Sequence, residues 1–126
     1  MKRDMDLIRK IAFAIEATED PIESVSIAID DFTPKQIAYH CELMNDSGLF
    51  VSETFTHTES KFEEFLILRL TSKGHDFIDS ARNETIWVKA KNTISSKVGG
   101  ITIDALIQYL SSQALSVLGS SPDITL

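Results

Sequence analysis

The stretch from Thr33 to Thr71 constrains the fold more than any other part of the chain. Thr33-Pro34 is a helix opening: the threonine hydroxyl accepts from the orphan amides of a first turn, and proline suits the first helical position. Ile37, Cys41 and Met44 recur at i, i+4 and i+7 as one apolar stripe, which predicts a helix from Pro34 to about Ser47. Gly48 stands where a helix commonly ends in a left-handed residue that only glycine adopts cheaply. Leu49-Phe50-Val51 then opens a strand. Its partner, Phe62 to Leu70, alternates, with Phe62, Glu64, Leu66, Leu68 and Leu70 on one face and Glu63, Phe65, Ile67 and Arg69 on the other. The polar turn His57–Lys61 between them lacks Asn-Gly or Asp-Gly, which favours a longer connection over a tight two-residue hairpin.

Helix, strand, turn, strand is the order of the second half of a winged helix. The segments before it supply part of the first half. Met1 to Thr18 reads as a helix whose Leu7, Ile8, Ile11, Ala12, Phe13, Ala14 and Ile15 predict enclosure on more than one side. Asp20-Pro21 stops it, because proline removes a backbone hydrogen bond and pushes its predecessor out of helical space. Val25, Ile27 and Ile29 alternate with Ser24, Ser26 and Ala28, so a short strand is expected here, adding a third strand beside the hairpin. A full helix-turn-helix needs another helix at this point to brace the reading helix against the DNA backbone, and the pattern for one is missing.

Beyond the hairpin, Thr71 is a plausible cap for a helix over Ser72 to about Asn83, with Phe77, Ile78 and Ala81 inward. Thr85 to Lys97 continues as a helix carrying Ile86, Trp87, Ala90 and Ile94, and the single tryptophan is expected to be a structural anchor bridging the helix after the hairpin to the first helix. Paired glycines at Gly99-Gly100 break it, and Thr102 caps a last helix to about Leu118. The expected class is therefore α+β: a winged-helix-like core (helix, short strand, helix, two-stranded wing) with additional C-terminal helices. The expected organisation is residues 1–98 as that domain, 99–118 as a helix packed on it or on a partner subunit, and 119–126 as a frayed tail.

The opening KRDMDLIRKI, the IAYH and NDSGLF of the capped helix, and the run LTSKGHDFIDSARNETIW resemble a family of small bacterial and prophage proteins known as a domain of unknown function. The resemblance covers the first ninety or so residues well and the last helix loosely. Helix-Gly-Leu-strand followed by Leu-Thr-x-x-Gly is also shared by many winged-helix transcription regulators. What the resemblance implies is a winged-helix fold and, by analogy, binding to double-stranded DNA. It implies no substrate and no catalytic residue.

If DNA is read, the candidates are Lys35, Gln36 and Tyr39 on the outer face of the capped helix, and Lys61 at the wing tip. Glutamine can pair bidentately with adenine, and lysine can meet a phosphate or guanine. Against this stands a net charge of −7. Between Pro21 and Ser60 the only cation is Lys35, among Glu23, Asp30, Asp31, Glu42, Asp46, Glu53 and Glu59. A surface that neutralises few phosphates gains little from released counterions. The competing expectation is an acidic protein–protein interaction module that has kept the fold and lost the DNA-reading surface. In the last helix Gln108, Ser111, Ser112, Gln113 and Ser116 lie opposite the apolar stripe, and such a charge-poor face favours a homodimer through this helix.

Enzyme chemistry finds no foothold in the sequence. His40 and Cys41 are helix neighbours about 100° apart, His57 is on the wing and His75 near a helix start, with no H-E-x-x-H or CxxC spacing. Glu63 and Glu64 face opposite ways on a strand, and Asp30-Asp31 favour the positive end of the following helix. No cofactor or metal is expected. One cysteine rules out an internal disulfide, and no apolar run reaches the ~20 residues of a membrane helix, so a cytoplasmic, non-membrane protein is expected.

Overall fold

The computed structural model describes residues 1–55, 62–98 and 101–119. The turn holding His57 and Lys61, the Gly99-Gly100 break and the 120–126 tail lie outside the described residues. The fold is α+β, a winged-helix-like core followed by extra C-terminal helices. The chain divides into two compact units, Met1–His75 and Asp76–Leu126.

In the first unit, helix α1 spans Met5–Glu16. It starts later than Met1 because Asp4 caps it, its carboxylate accepting from the amides of Asp6 (2.9 Å) and Leu7 (3.2 Å). Its core side is one broad face (Leu7, Ile8, Ile11, Ala12, Ile15), whereas Phe13 and Ala14 are only half-buried, which corrects the expected enclosure on several sides. Arg9 lies over the Phe13 ring, its guanidinium 5.1 Å from the centroid, and so covers part of that surface.

The expected strand at Ser24–Ile29 is displaced. Strand β1 is only Ile22–Glu23, and Ser24–Ser26 is a 3-10 turn. The cause is Ser24: its hydroxyl accepts the Phe65 amide at 3.0 Å, supplying from a side chain the acceptor that the next backbone carbonyl would give. The chain can then leave the ladder without stranding a buried donor. Val25 is thrown outward, 62% exposed, while Ile27 is buried. The third strand itself exists as expected, since β1 pairs antiparallel with β3 (Glu64–Leu70), which pairs in turn with β2 (Phe50–Phe55), in the order β1-β3-β2.

Helix α2 spans Pro34–Asp46. It opens with a capping box in which the Gln36 amide donates to the Thr33 hydroxyl (3.2 Å) and the Gln36 side chain accepts the Thr33 amide (2.8 Å). It closes at Gly48, whose φ is +72°. Simple alternation fails in β3. Val51 pairs with Arg69 but Ser52 pairs with Ile67, so Leu68 is an extra residue, and the bulge brings Leu70 to the buried side with Phe65 and Ile67. The expected grouping of Leu66, Leu68 and Leu70 on one face is corrected accordingly.

Thr71 joins the hairpin to helix α3, Ser72–Ser80. Its hydroxyl accepts from the Gly74 amide at 3.0 Å and donates to the Gly48 carbonyl, while its own amide donates to the Leu49 carbonyl at 3.0 Å. Gly74 is required by proximity: a Cβ there would overlap the Leu49 carbonyl oxygen.

In the second unit, α4 (Glu84–Val98) is capped by Asn83, whose side chain accepts the Ile86 amide at 3.0 Å. Helix α5 (Ile103–Gly119) is capped by Thr102, which accepts the Ala105 amide at 3.0 Å. Trp87 is fully buried and meets Phe77 of α3 edge to face at 5.8 Å. Ile103, Leu106 and Leu110 of α5 are buried within the chain.

Two glycine substitutions separate steric from conformational demand. Gly74→Ala forces Cβ into backbone that has no side chain to swing aside, and is expected to cost about 2–3 kcal/mol. Gly48→Ala meets open space and pays only for the left-handed backbone, about 1 kcal/mol. Urea unfolding followed by circular dichroism should rank them in that order.

Candidate functional site

Three of the four residues expected to read DNA lie on α2, and the structure gives each a distinct setting. Lys35 is exposed in the first turn. The carbonyl end of the Gln36 side chain is committed to the capping box. Tyr39 is half-buried, its ring meeting His40 edge-on at 5.5 Å and Phe62 at 6.3 Å. The fourth, Lys61, lies outside the described residues. A neighbour on the same face, Glu42, accepts the Glu63 amide at 2.9 Å. Tyr39 and Glu42 therefore hold the lead-in to β3 against the helix, a pairing that no spacing in the sequence announces.

The electrostatics of this face are acidic. Among the described residues from Pro21 to Phe55, Lys35 is the only cation, and Glu42 and Asp46 share its helix. Glu63 and Glu64 follow at the start of β3.

On the inner side of α2, His40 is a pin. Its Nε2 accepts the Asp4 amide at 2.8 Å, and its Nδ1 donates to the Gln36 carbonyl at 2.7 Å. The two contacts fix the tautomer with the proton on Nδ1 and tie the start of α1 to α2, so the ring has no nitrogen left for a substrate. Cys41 is fully buried, and desolvation pushes its thiol up from 9.0 to about 12, so it packs as a small hydrophobe and carries no thiolate at neutral pH. Among the described residues no group of three or more histidine, cysteine, aspartate or glutamate side chains could hold a metal ion. No described helix is long and apolar enough to cross a membrane.

Where the chain leaves the sheet at Ser24, it runs past the first turns of α2 and leaves an open groove of about 560 Å³. Its lining includes the apolar Val25, Ile29, Phe32, Ala38 and Phe62 and the charged Lys35, Glu63 and Glu64. The sequence signal for it is indirect: the absence of a second helix pattern between Pro21 and Thr33.

Residues 2–101 match the family described as Hypothetical protein (DUF2513). The chain belongs to the DUF2513 family. An uncharacterized protein of Haemophilus influenzae is similar, 36% identical over 112 residues that cover 86% of this chain and 91% of that one. No solved structure matches significantly. The DUF2513 match takes in α2, the sheet and the groove, and ends before α5 begins.

Burial of Cys41 in this DUF2513 chain has a consequence for stability. Its folded pKa lies above the unfolded one, so the stabilisation is complete below about pH 9 and declines as pH rises toward 12. In that window stability should fall by up to about 1.4 kcal/mol per pH unit from this group alone. Cys41→Ala should flatten that slope in unfolding titrations compared across pH.

Proposed function

We propose that this DUF2513 protein is a non-catalytic regulatory module of bacterial or prophage origin, working in the cytoplasm by binding another protein through the outward face of α2. The observation that carries this reading is the charge of that face: Glu42 and Asp46 on the helix and Glu63 and Glu64 beside it, against Lys35. A face of this sign repels phosphates and suits a cationic protein surface. The capped, pinned helix supports the reading too, because a rigid element loses little freedom on binding.

A second reading, recognition of double-stranded DNA, is favoured by the element order of the core, which presents α2 and the hairpin as winged helices present their reading elements. Its residues would be Lys35, Gln36, Tyr39 and Lys61. Few phosphates could be met, so affinity would be weak and its dependence on salt shallow.

A photo-crosslinking residue placed at the exposed Asp46 in the native host tests the first reading; discrete protein adducts identified by mass spectrometry are expected. In parallel, titration onto random duplex at about 50 and about 200 mM salt should give no saturable binding. Saturable, salt-sensitive binding that Lys35→Ala and Lys61→Ala abolish would replace the protein reading with the DNA one.

The module is further proposed to pair as a homodimer through Thr102–Leu118. With Ile103, Leu106 and Leu110 already covered within the chain, the support is the neutral side of α5, where Gln108 and Ser112 are exposed. Light scattering at micromolar concentration should return twice the chain mass, and a chain ending near Lys97 should return one. A monomeric full-length chain overturns the pairing.

A further inference from the structure

The groove beside α2 has the properties of a docking site, and we infer that it takes a basic protein segment whose apolar side chains recur at i, i+4 and i+7. The inference rests on the protein-binding reading and adds to it the place and the chemistry of the partner. The groove exists because Ser24 ends the strand and the chain passes through the Ser24–Ser26 3-10 turn to an extended Ile27, where a longer helix would have filled the space. Its outer wall is built in advance. Phe32 donates its amide to the Ile29 carbonyl at 3.2 Å, Asp31 between them takes a φ of +71°, and Lys10 lies 5.5 Å from the Phe32 ring centroid. The opposite wall is α2, held by its cap and by His40.

Size and surface fit side chains. The volume of about 560 Å³ falls within the ~300–1,000 Å³ of sites that enclose a ligand. Val25 offers an aliphatic side chain that is 62% exposed at the groove, an arrangement the fold does not need for its own core. An amphipathic helix laid into such a groove presents its anchors at i, i+4 and i+7.

Charge selects among occupants. Glu63 and Glu64 flank the groove, with Asp30 and Asp31 in the loop that forms its wall, and Lys35 is the one cation lining it. A second copy of this chain is acidic overall, with a net charge of −7, and nucleic acid brings phosphates, so neither supplies the positive charge that the groove favours. Lysine or arginine flanking the apolar anchors meets opposite charge.

The test uses the full-length ¹⁵N-labelled protein and two synthetic helical peptides with leucine at i, i+4 and i+7, one with lysine at the remaining positions and one with glutamate. The lysine peptide is expected to shift the amides of Val25, Ile29 and Ala38 saturably, and the glutamate peptide to bind about tenfold more weakly or worse. Val25→Arg, at an exposed position, should weaken the lysine peptide by about tenfold with thermal unfolding unchanged. Ala38→Trp should do the same by filling the groove, and Val25→Arg keeps the test decisive if that variant fails to fold. Shifts that do not saturate, shifts centred elsewhere, equal affinity for both peptides, or wild-type affinity in Val25→Arg would each overturn the docking site. If Asp46 still yields protein adducts after such a result, protein binding by α2 stands and only the groove assignment falls.

Discussion

The first unit depends on the contact between Thr71 and the Gly48-Leu49 backbone. The end of α2, the start of β2, the end of β3 and the start of α3 all pass through this joint, and each leaves polar backbone groups to satisfy there. The Thr71 hydroxyl serves two of them, capping α3 through Gly74 and donating to Gly48, while its amide holds Leu49. Gly74 lets α3 come close enough for this to happen. The pattern Leu-Thr-x-x-Gly thus has a physical reading: leucine enters the core, threonine satisfies the joint, and glycine clears the approach.

Much of the fold was legible because local chemistry and burial agree. The capping box at Thr33, the stripe of Ile37, Cys41 and Met44, the glycine stop at Gly48 and the caps at Thr71 and Thr102 all lie where their spacing placed them. The two failures in the sheet share one cause, a single residue changing the phase of a strand. Ser24 ends β1 through a side-chain hydrogen bond to Phe65, and Leu68 adds a bulge that moves Leu70 to the other face. Neither residue is unusual in composition, and the partner that decides its role is distant in sequence. The same reason hid the groove and the His40 pin, whose second contact, Asp4, is 36 residues away.

On the outward face of α2, side chains that could reach a partner are drawn into contacts within the chain. Tyr39 and Glu42 stand on the outward side of α2, and here they bind the chain's own lead-in to β3 through Phe62 and Glu63. Gln36 is drawn into the helix cap. What remains outward is shorter of hydrogen-bond donors and richer in carboxylates than a groove-reading helix requires.

The hydroxyl of Ser24 also bears on solubility. A sheet edge is a template onto which foreign strands add, and proteins guard theirs by keeping edge strands short or turning them away. On the β1 side this sheet offers two residues before the backbone curls into a tight turn, and the next donor of β3 is already taken by a side chain. A stray strand arriving there finds too short a ladder to hold it. One serine therefore closes one of the two flanks along which the β-sheet could otherwise grow from molecule to molecule.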